Sequence, residues 1–564
     1  MSDGETQVDN DRAVITEAMS RGPLATLGAF VKLSGPGWLQ SAITLGGGSL
    51  AGALFLGILG GTSMLWLQLM AIIMGVIMLS AISYVTLSTG ERPFRSINRH
   101  INPVLGWGWI IATILANTIW CMPQFSLCYA ALQNNLLPGT VTDADGHKIG
   151  VSLVLLFLAG WAVFLNSRQG TVAKLFDWFL KGLVGIVVLC FVGVVGLLAS
   201  KGELDFAAIL SGLIPDLSQW SRPTGKIAEL VATLPADIQS FWSGRVISAQ
   251  RDVMIGAAAT AVGINMTFLM PYSMLRRGWD RNFRGLARFD LSTGMAIPYI
   301  LVTSCVVIAA ASSFHAQADP QFLSNDPAEM QKSSLFAGAK ASLAARVGFE
   351  GDTNALPEAT LNEIAALSAE EKKIASSLVK RNAFDLSKAV SPLLGDDTAR
   401  LVFGIGIFGM GFSTIIILML INGYALCEIA NKPLGGGTQF IGCLIAGISG
   451  ALWWSFWQGD SKVYLAIVTS KFGMMLLPIA YIAFFMMMNS RKILGDDTPT
   501  GFSSVVWNVL MGVSVIGATI AAGSAIWTSI QKPNEGPIVI TIAAFFFLAV
   551  VIGFVRKRKT GVDA

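Results

Sequence analysis

The chain has 564 residues, 53% of them hydrophobic and 13% charged, with a mean hydropathy of +0.62. A soluble domain carries about twice that share of charge, so the composition excludes one and points to a polytopic membrane protein. A formal net charge of +4 is too small to suggest nucleic-acid binding. The six cysteines (Cys121, Cys128, Cys190, Cys305, Cys427 and Cys443) fall inside apolar segments, giving neither a disulfide framework nor zinc spacing.

The N-terminus up to about Gly22 is polar and mixed in charge, without the pattern of a signal peptide, and reads as a cytosolic tail. A hydrocarbon core of about 30 Å needs roughly 20 helical residues to cross it. Runs of that kind occur near 34–60, 62–88, 104–136, 150–166, 172–199 and 249–277, then near 289–314, 398–429, 437–457, 463–488, 503–529 and 537–556. Twelve membrane helices are therefore expected.

Arg92, Arg95 and Arg99, then Arg276 to Arg288, then Arg491 and Lys492, and finally Arg556 to Lys559 fall on one side. Opposite loops are poorer in cations; 458–462 holds only Lys462. The positive-inside rule then places both termini in the cytoplasm of an inner-membrane protein. Two long polar segments lie on the outer side. The first, about 200–248, contains an amphipathic stretch at Asp205–Leu213; the second, about 316–397, contains a capping-box start at Ser368-Ala369-Glu370-Glu371. Neither carries a catalytic motif, and both read as an outer cap or gate element.

The first span contains Gly46-Gly47-Gly48-Ser49. A mid-helix glycine costs about 1 kcal/mol relative to alanine, so three in a row mark an intended break. Within a membrane, a break is tolerated where the freed backbone faces protein or a water-filled cavity. Close helix packing is the other use of small residues. A second break is expected five helices later, as in inverted-repeat transporters. Span six reads AVGINMTFLMPYSM, where Pro271 removes a backbone donor among Asn265, Thr267, Tyr272 and Ser273.

At these residues the chain resembles the NRAMP divalent-metal transporters. Ser34-Gly35-Pro36-Gly37-Trp38 is similar to the opening of their first helix. Asn489 to Asp496 resembles their S-x-K-(hydrophobic)₂-G-(acid) signature, and Gly404 through Ser413-Thr414 resembles their Gly-rich eighth helix. The resemblance runs from about residue 30 to 496. It implies a LeuT-type all-α fold with two inverted five-helix repeats and a substrate held between broken helices one and six.

Read in that frame, 1–29 is a tail, 30–199 the first repeat, and 200–248 an outer loop. Helices six and seven occupy 249–315, an outer insertion 316–397, and helices eight to ten 398–488. Residues 489–564 hold the last two helices and a basic tail.

The departures from the family decide the chemistry. Its helix-one Asp-Pro-Gly-Asn falls on Gly46, Gly47, Gly48 and Ser49, and its helix-six Met-Pro-His-Asn falls on Met270, Pro271, Tyr272 and Ser273. Gln124 and Ser126 stand near its third-helix acids, and Ser470, beside Lys471, stands at its helix-ten glutamine. Met270 is then the only candidate metal ligand of the family set. Bare Mn²⁺ or Fe²⁺ is poorly served by one thioether, hydroxyls and carbonyls.

The expected substrate site is Gly46, Gly47, Gly48, Ser49, Asn265, Thr267, Met270, Tyr272, Ser273, Ser470 and Lys471. The family implies a secondary transporter of a divalent cation, here hard or hydrated like Mg²⁺. Free N–H groups at a half-helix N-terminus suit instead a small carboxylate-bearing solute such as an amino acid. A non-transporting sensor is the third reading. No ATP-binding loop or catalytic constellation is present, so neither an enzyme nor a cofactor is expected. The expected partners are the bilayer and one small ion or polar solute.

Overall fold

The computed structural model describes residues 3–167, 171–202, 204–381, 384–385, 387, 391, 395–457, 464–531 and 536–559. The 458–462 loop lies outside the described residues. All regular structure among them is helical. The membrane helices are α1 (Pro36–Thr44), α2 (Gly47–Gly60), α3 (Leu65–Thr89), α4 (Pro103–Ala131), α5 (Asp145–Ser167) and α6 (Thr171–Ser200). They continue as α7 (Ala236–Ala261), α8 (Ile264–Arg276), α9 (Ile297–Phe314), α10 (Asp396–Ile429) and α11 (Gly436–Ala451). The last three are α12 (Tyr464–Met488), α13 (Gly501–Ile530) and α14 (Gly536–Lys559).

Among the described residues, ten stretches are long and apolar enough to cross a membrane. One of them, Gly47–Thr89, joins the first two expected spans, and the ninth span is the shorter apolar helix Gly436–Ala451. Separating the first pair and adding the ninth accounts for the twelve expected.

Spans one and six are both broken, each by two residues outside helical geometry. Leu45 and Gly46 separate α1 from α2, with Gly46 at φ −90° and ψ −176°. Val262 and Gly263 separate α7 from α8, at φ −144° and −89°. The second break differs from the expected one. It lies eight residues before Pro271, which sits inside α8. Gly263 is where the chain must be bare, because a Cβ there would run into the Trp120 ring.

The opening of α1 is organised by Asp290, a fully buried carboxylate. It accepts from the Ser34 hydroxyl and from the backbone N–H groups of Gly35 and Gly37. Donors at a helix start are orphans unless something accepts from them, and here a buried side chain does so.

The two long polar segments fold together, among the described residues, into a cap with its own core, in which Ile227, Trp242 and Val246 meet Phe322, Phe336 and Ile374. Helix Ala369–Ser377 starts at Ser368, whose hydroxyl accepts from Glu371 N at 3.2 Å. Glu371 is buried but paired: Trp242 Nε1 donates to it at 3.0 Å and Arg346 Nε at 2.5 Å. Span six was expected from residue 249; α7 starts at Ala236, inside this cap.

Candidate functional site

A small cavity of about 40 Å³ lies between the two breaks. From span one it is lined by Gly46, Gly48 and Ser49, and from span six by Gly263, Asn265 and Met266. Trp120 and Gln124 of α4, Thr260 of α7, Thr414 of α10, and Thr469 and Ser470 of α12 complete its polar wall.

The glycines serve close approach. None of Gly46–Gly48 has a positive φ. A Cβ on Gly46 would lie 2.6 Å from Thr414 Oγ1, and one on Gly48 would lie 2.7 Å from Thr260 Cγ2. One on Gly47 would lie 2.9 Å from Leu127 Cδ2 and 3.0 Å from Gln124 Oε1. Gly46 and Gly48 thus border the cavity, whereas Gly47 is outside it and packs against α4.

Several of the break's backbone groups find partners on neighbouring helices or on α1 itself. Gly47 N donates to Gln124 Oε1 at 2.8 Å, and Leu45 N to Ser41 O at 2.9 Å. The Ala42 carbonyl accepts from Ser413 Oγ at 3.1 Å. Across the cavity, Asn265 Oδ1 accepts from Met266 N at 2.9 Å, while its Nδ2 is buried and unpartnered. The Met266 sulfur accepts from Thr44 Oγ1 at 3.5 Å, which ties the two breaks together.

The hydroxyl groups share one habit. Ser49 donates to Thr44 O, Thr260 to Ala257 O at 2.8 Å, Thr414 to Met410 O at 2.8 Å, and Thr469 to Leu465 O at 3.0 Å. A hydroxyl has one proton and two lone pairs, so each of these four offers the cavity acceptors only. No group of three or more His, Cys, Asp or Glu able to hold a metal occurs among the described residues.

Of the expected site residues, Gly46, Gly48, Ser49, Asn265 and Ser470 meet at the cavity. Thr267, Met270, Tyr272 and Ser273 do not line it. They lie along α8 beyond Met266, because the break comes earlier than Pro271 suggested. Thr267 is committed to Ile264 O and to Trp109 Nε1, at 2.5 and 2.9 Å. Tyr272 stacks on Phe268 with centroids 4.2 Å apart, and Ser273 donates to Met270 O at 2.8 Å. Lys471 also lies off the cavity wall, with its ammonium on Asp252.

Sequence reasoning missed Trp120, Thr260, Met266, Thr414 and Thr469 as lining residues. The available signal for Met266 was Gly263, since an isolated Gly inside a span is a second candidate breakpoint, weaker than the later proline.

No curated protein matches the chain in sequence. Among solved structures, it is similar to the Eremococcus coleocola manganese transporter in complex with an aromatic bis-isothiourea substituted compound. Identity is 13%, the TM-score is 0.63, and the match covers 94% of this chain and 96% of that one. A mutant of the same transporter matches at 12% identity and a TM-score of 0.61, over 93% of each chain. At such identities the likeness concerns the fold. Residues 37–345 and 363–528 match the family described as natural resistance-associated macrophage protein-like, and the chain belongs to that Nramp family.

Proposed function

We propose that this Nramp-family chain is a secondary metal-cation transporter whose cargo is a hard divalent ion of the Mg²⁺ kind, carried with part of its water shell. The observation that carries this reading is the set of four hydroxyls that donate to backbone carbonyls and face the cavity as acceptors. Water bound to a cation points its hydrogens outward and needs acceptors around it. At about 10–15 Å³ per water position, 40 Å³ holds roughly three waters, which suits a partly hydrated ion. Mg²⁺ sheds water reluctantly, whereas stripped Mn²⁺ or Fe²⁺ wants carboxylate, imidazole or sulfur ligands. The wall offers one such donor, the Met266 thioether.

A carboxylate-bearing cargo fits this wall less well. The reading of a free half-helix N-terminus loses its clearest donor, because Gly47 N–H is already bonded to Gln124. In this proposal the protein sits in the cell's inner membrane with both termini cytoplasmic, and residues 30–199 and 249–488 form the two inverted repeats, apart from the cap.

Uptake into proteoliposomes tests the cargo, with Mg²⁺ and Mn²⁺ offered separately and in competition. Mn²⁺ should compete no better than Mg²⁺. Mn²⁺ uptake at micromolar concentration without Mg²⁺ uptake, or uptake of an amino acid with neither metal, would overturn the reading. Cysteine labels in 316–381 that react only from the cytoplasmic side would overturn the orientation.

A further inference from the structure

One intramembrane ion pair has no part in the cavity wall. Lys471 Nζ donates to Asp252 Oδ1 at 2.7 Å, joining α12 to α7. α7 begins in the cap, where Trp242 and Val246 are buried, and ends at the break. Asp252 therefore stands between cap and cavity, about 12 Å before cavity-lining Thr260 at 1.5 Å per residue. Lys471 leaves α12 beside cavity-lining Ser470. Its side chain reaches back toward the α12 N-terminus, the direction in which helical side chains lean. The ammonium is thus strung along the seam between α7 and α12, both of which line the cavity.

The side chains are 15% exposed for Lys471 and 36% for Asp252, so the pair is open on the acid's side. An exposed ion pair contributes little to stability, and a lysine at membrane depth is costly unless paired or functional. Only one carboxylate oxygen takes the ammonium. Lys380 of the cap also faces Asp252 and adds positive charge there.

We propose that Asp252 and Lys471 form an ionic gate on the cap side of the cavity. The ammonium on the carboxylate closes the α7–α12 seam, and an incoming divalent cation opens it by taking the carboxylate in its place. The trigger rests on the proposed cation cargo; the closure does not, so each is tested separately.

Ala259→Cys puts a thiol on the cavity wall. Its reaction with a charged, membrane-impermeant methanethiosulfonate is followed in the purified full chain, relative to the parent protein without that change. Lys471→Met and Asp252→Asn should each speed labelling at least fivefold. The exchanged pair Asp252→Lys with Lys471→Asp should return it to the slow rate and shows that both positions tolerate substitution. Equal rates in all four proteins would overturn the gate. Millimolar Mg²⁺ should then speed labelling when the native pair is present and have no effect in Asp252→Asn. Faster labelling in the single variants with no response to Mg²⁺ would refute the cation trigger while leaving closure by the pair intact.

Discussion

The backbone N–H of Gly47 donates to the side-chain oxygen of Gln124 at 2.8 Å, so the first turn of α2 is held by a residue of α4. This bond fixes the Gln124 amide, whose oxygen is committed to the break. Gln124→Leu removes the acceptor and leaves the N–H buried, at a cost of about 1–3 kcal/mol. The melting temperature in detergent should fall accordingly. Gln124→Glu keeps the acceptor and adds a carboxylate to the wall, so calorimetry should detect tighter Mn²⁺ binding than in the native chain. Unchanged stability in Gln124→Leu would show that the bond does not hold the break.

The three glycines separate into two classes, and substitution should tell them apart. Gly47→Leu drives a side chain into Leu127 and into the wall residue Gln124 that holds the break, so stability and uptake should fall together. Gly48→Ala places a methyl against Thr260 and Ser470, both on the wall. Alanine also gains about 1 kcal/mol of helix propensity, which offsets part of that contact. Uptake should fall at least tenfold with little change in melting temperature. Loss of stability without loss of uptake in Gly48→Ala would remove this residue from the cavity wall.

Much of this architecture was legible from sequence because the bilayer fixes helix length, and the first break because three glycines have few other uses in hydrocarbon. The second break was misplaced for a physical reason. Pro271 is the stronger local signal, yet tertiary packing decided the outcome. Trp120 fills the space beside Gly263, and the helix resumes at Ile264 and runs through the proline. That shift moves the cavity-facing thioether from Met270 to Met266. The hydroxyls of Thr260, Thr414 and Thr469 could not be read at all, since a threonine in a membrane helix commonly bonds its own backbone. Only the relative rotation of three helices makes these a wall.

His315 predicts how the cap end responds to acid. Its Nε2 accepts from Lys226 N at 2.9 Å, so Nδ1 carries the proton and donates to Ile58 O at 3.0 Å. This neutral ring ties the cap to the end of α2. Burial, with Lys226 nearby, holds its pKa below the ordinary value of about 6.5, while Glu229 opposes this. The folded chain therefore resists a proton that the unfolded chain takes up below about pH 6.5. The stabilisation is present above that pH and is lost as pH falls through it. Melting temperature should drop from pH 7.5 to 5.5 in the native chain, and less steeply in His315→Gln. Parallel pH profiles would show that the ring carries no such linkage.

The two methionines of α8 give the sharpest test of where the cargo sits. Met266 lines the cavity, and Met270 lies one turn further along the helix, wholly buried. Methionine-to-leucine changes conserve volume and usually cost less than about 1.5 kcal/mol, so both variants should fold. A thioether prefers soft cations, which makes Cd²⁺ the informative probe and Mg²⁺ the control. Met266→Leu should weaken Cd²⁺ binding several-fold while leaving Mg²⁺ uptake nearly unchanged, because a hydrated hard ion gains little from sulfur. Met270→Leu should alter neither. The reverse pattern would return the ligand to Met270 and require that α8 unwind as far as Pro271 when cargo binds. Insensitivity of Cd²⁺ to both changes would mean that neither thioether touches the ion, leaving hydroxyl and amide oxygens as its whole environment.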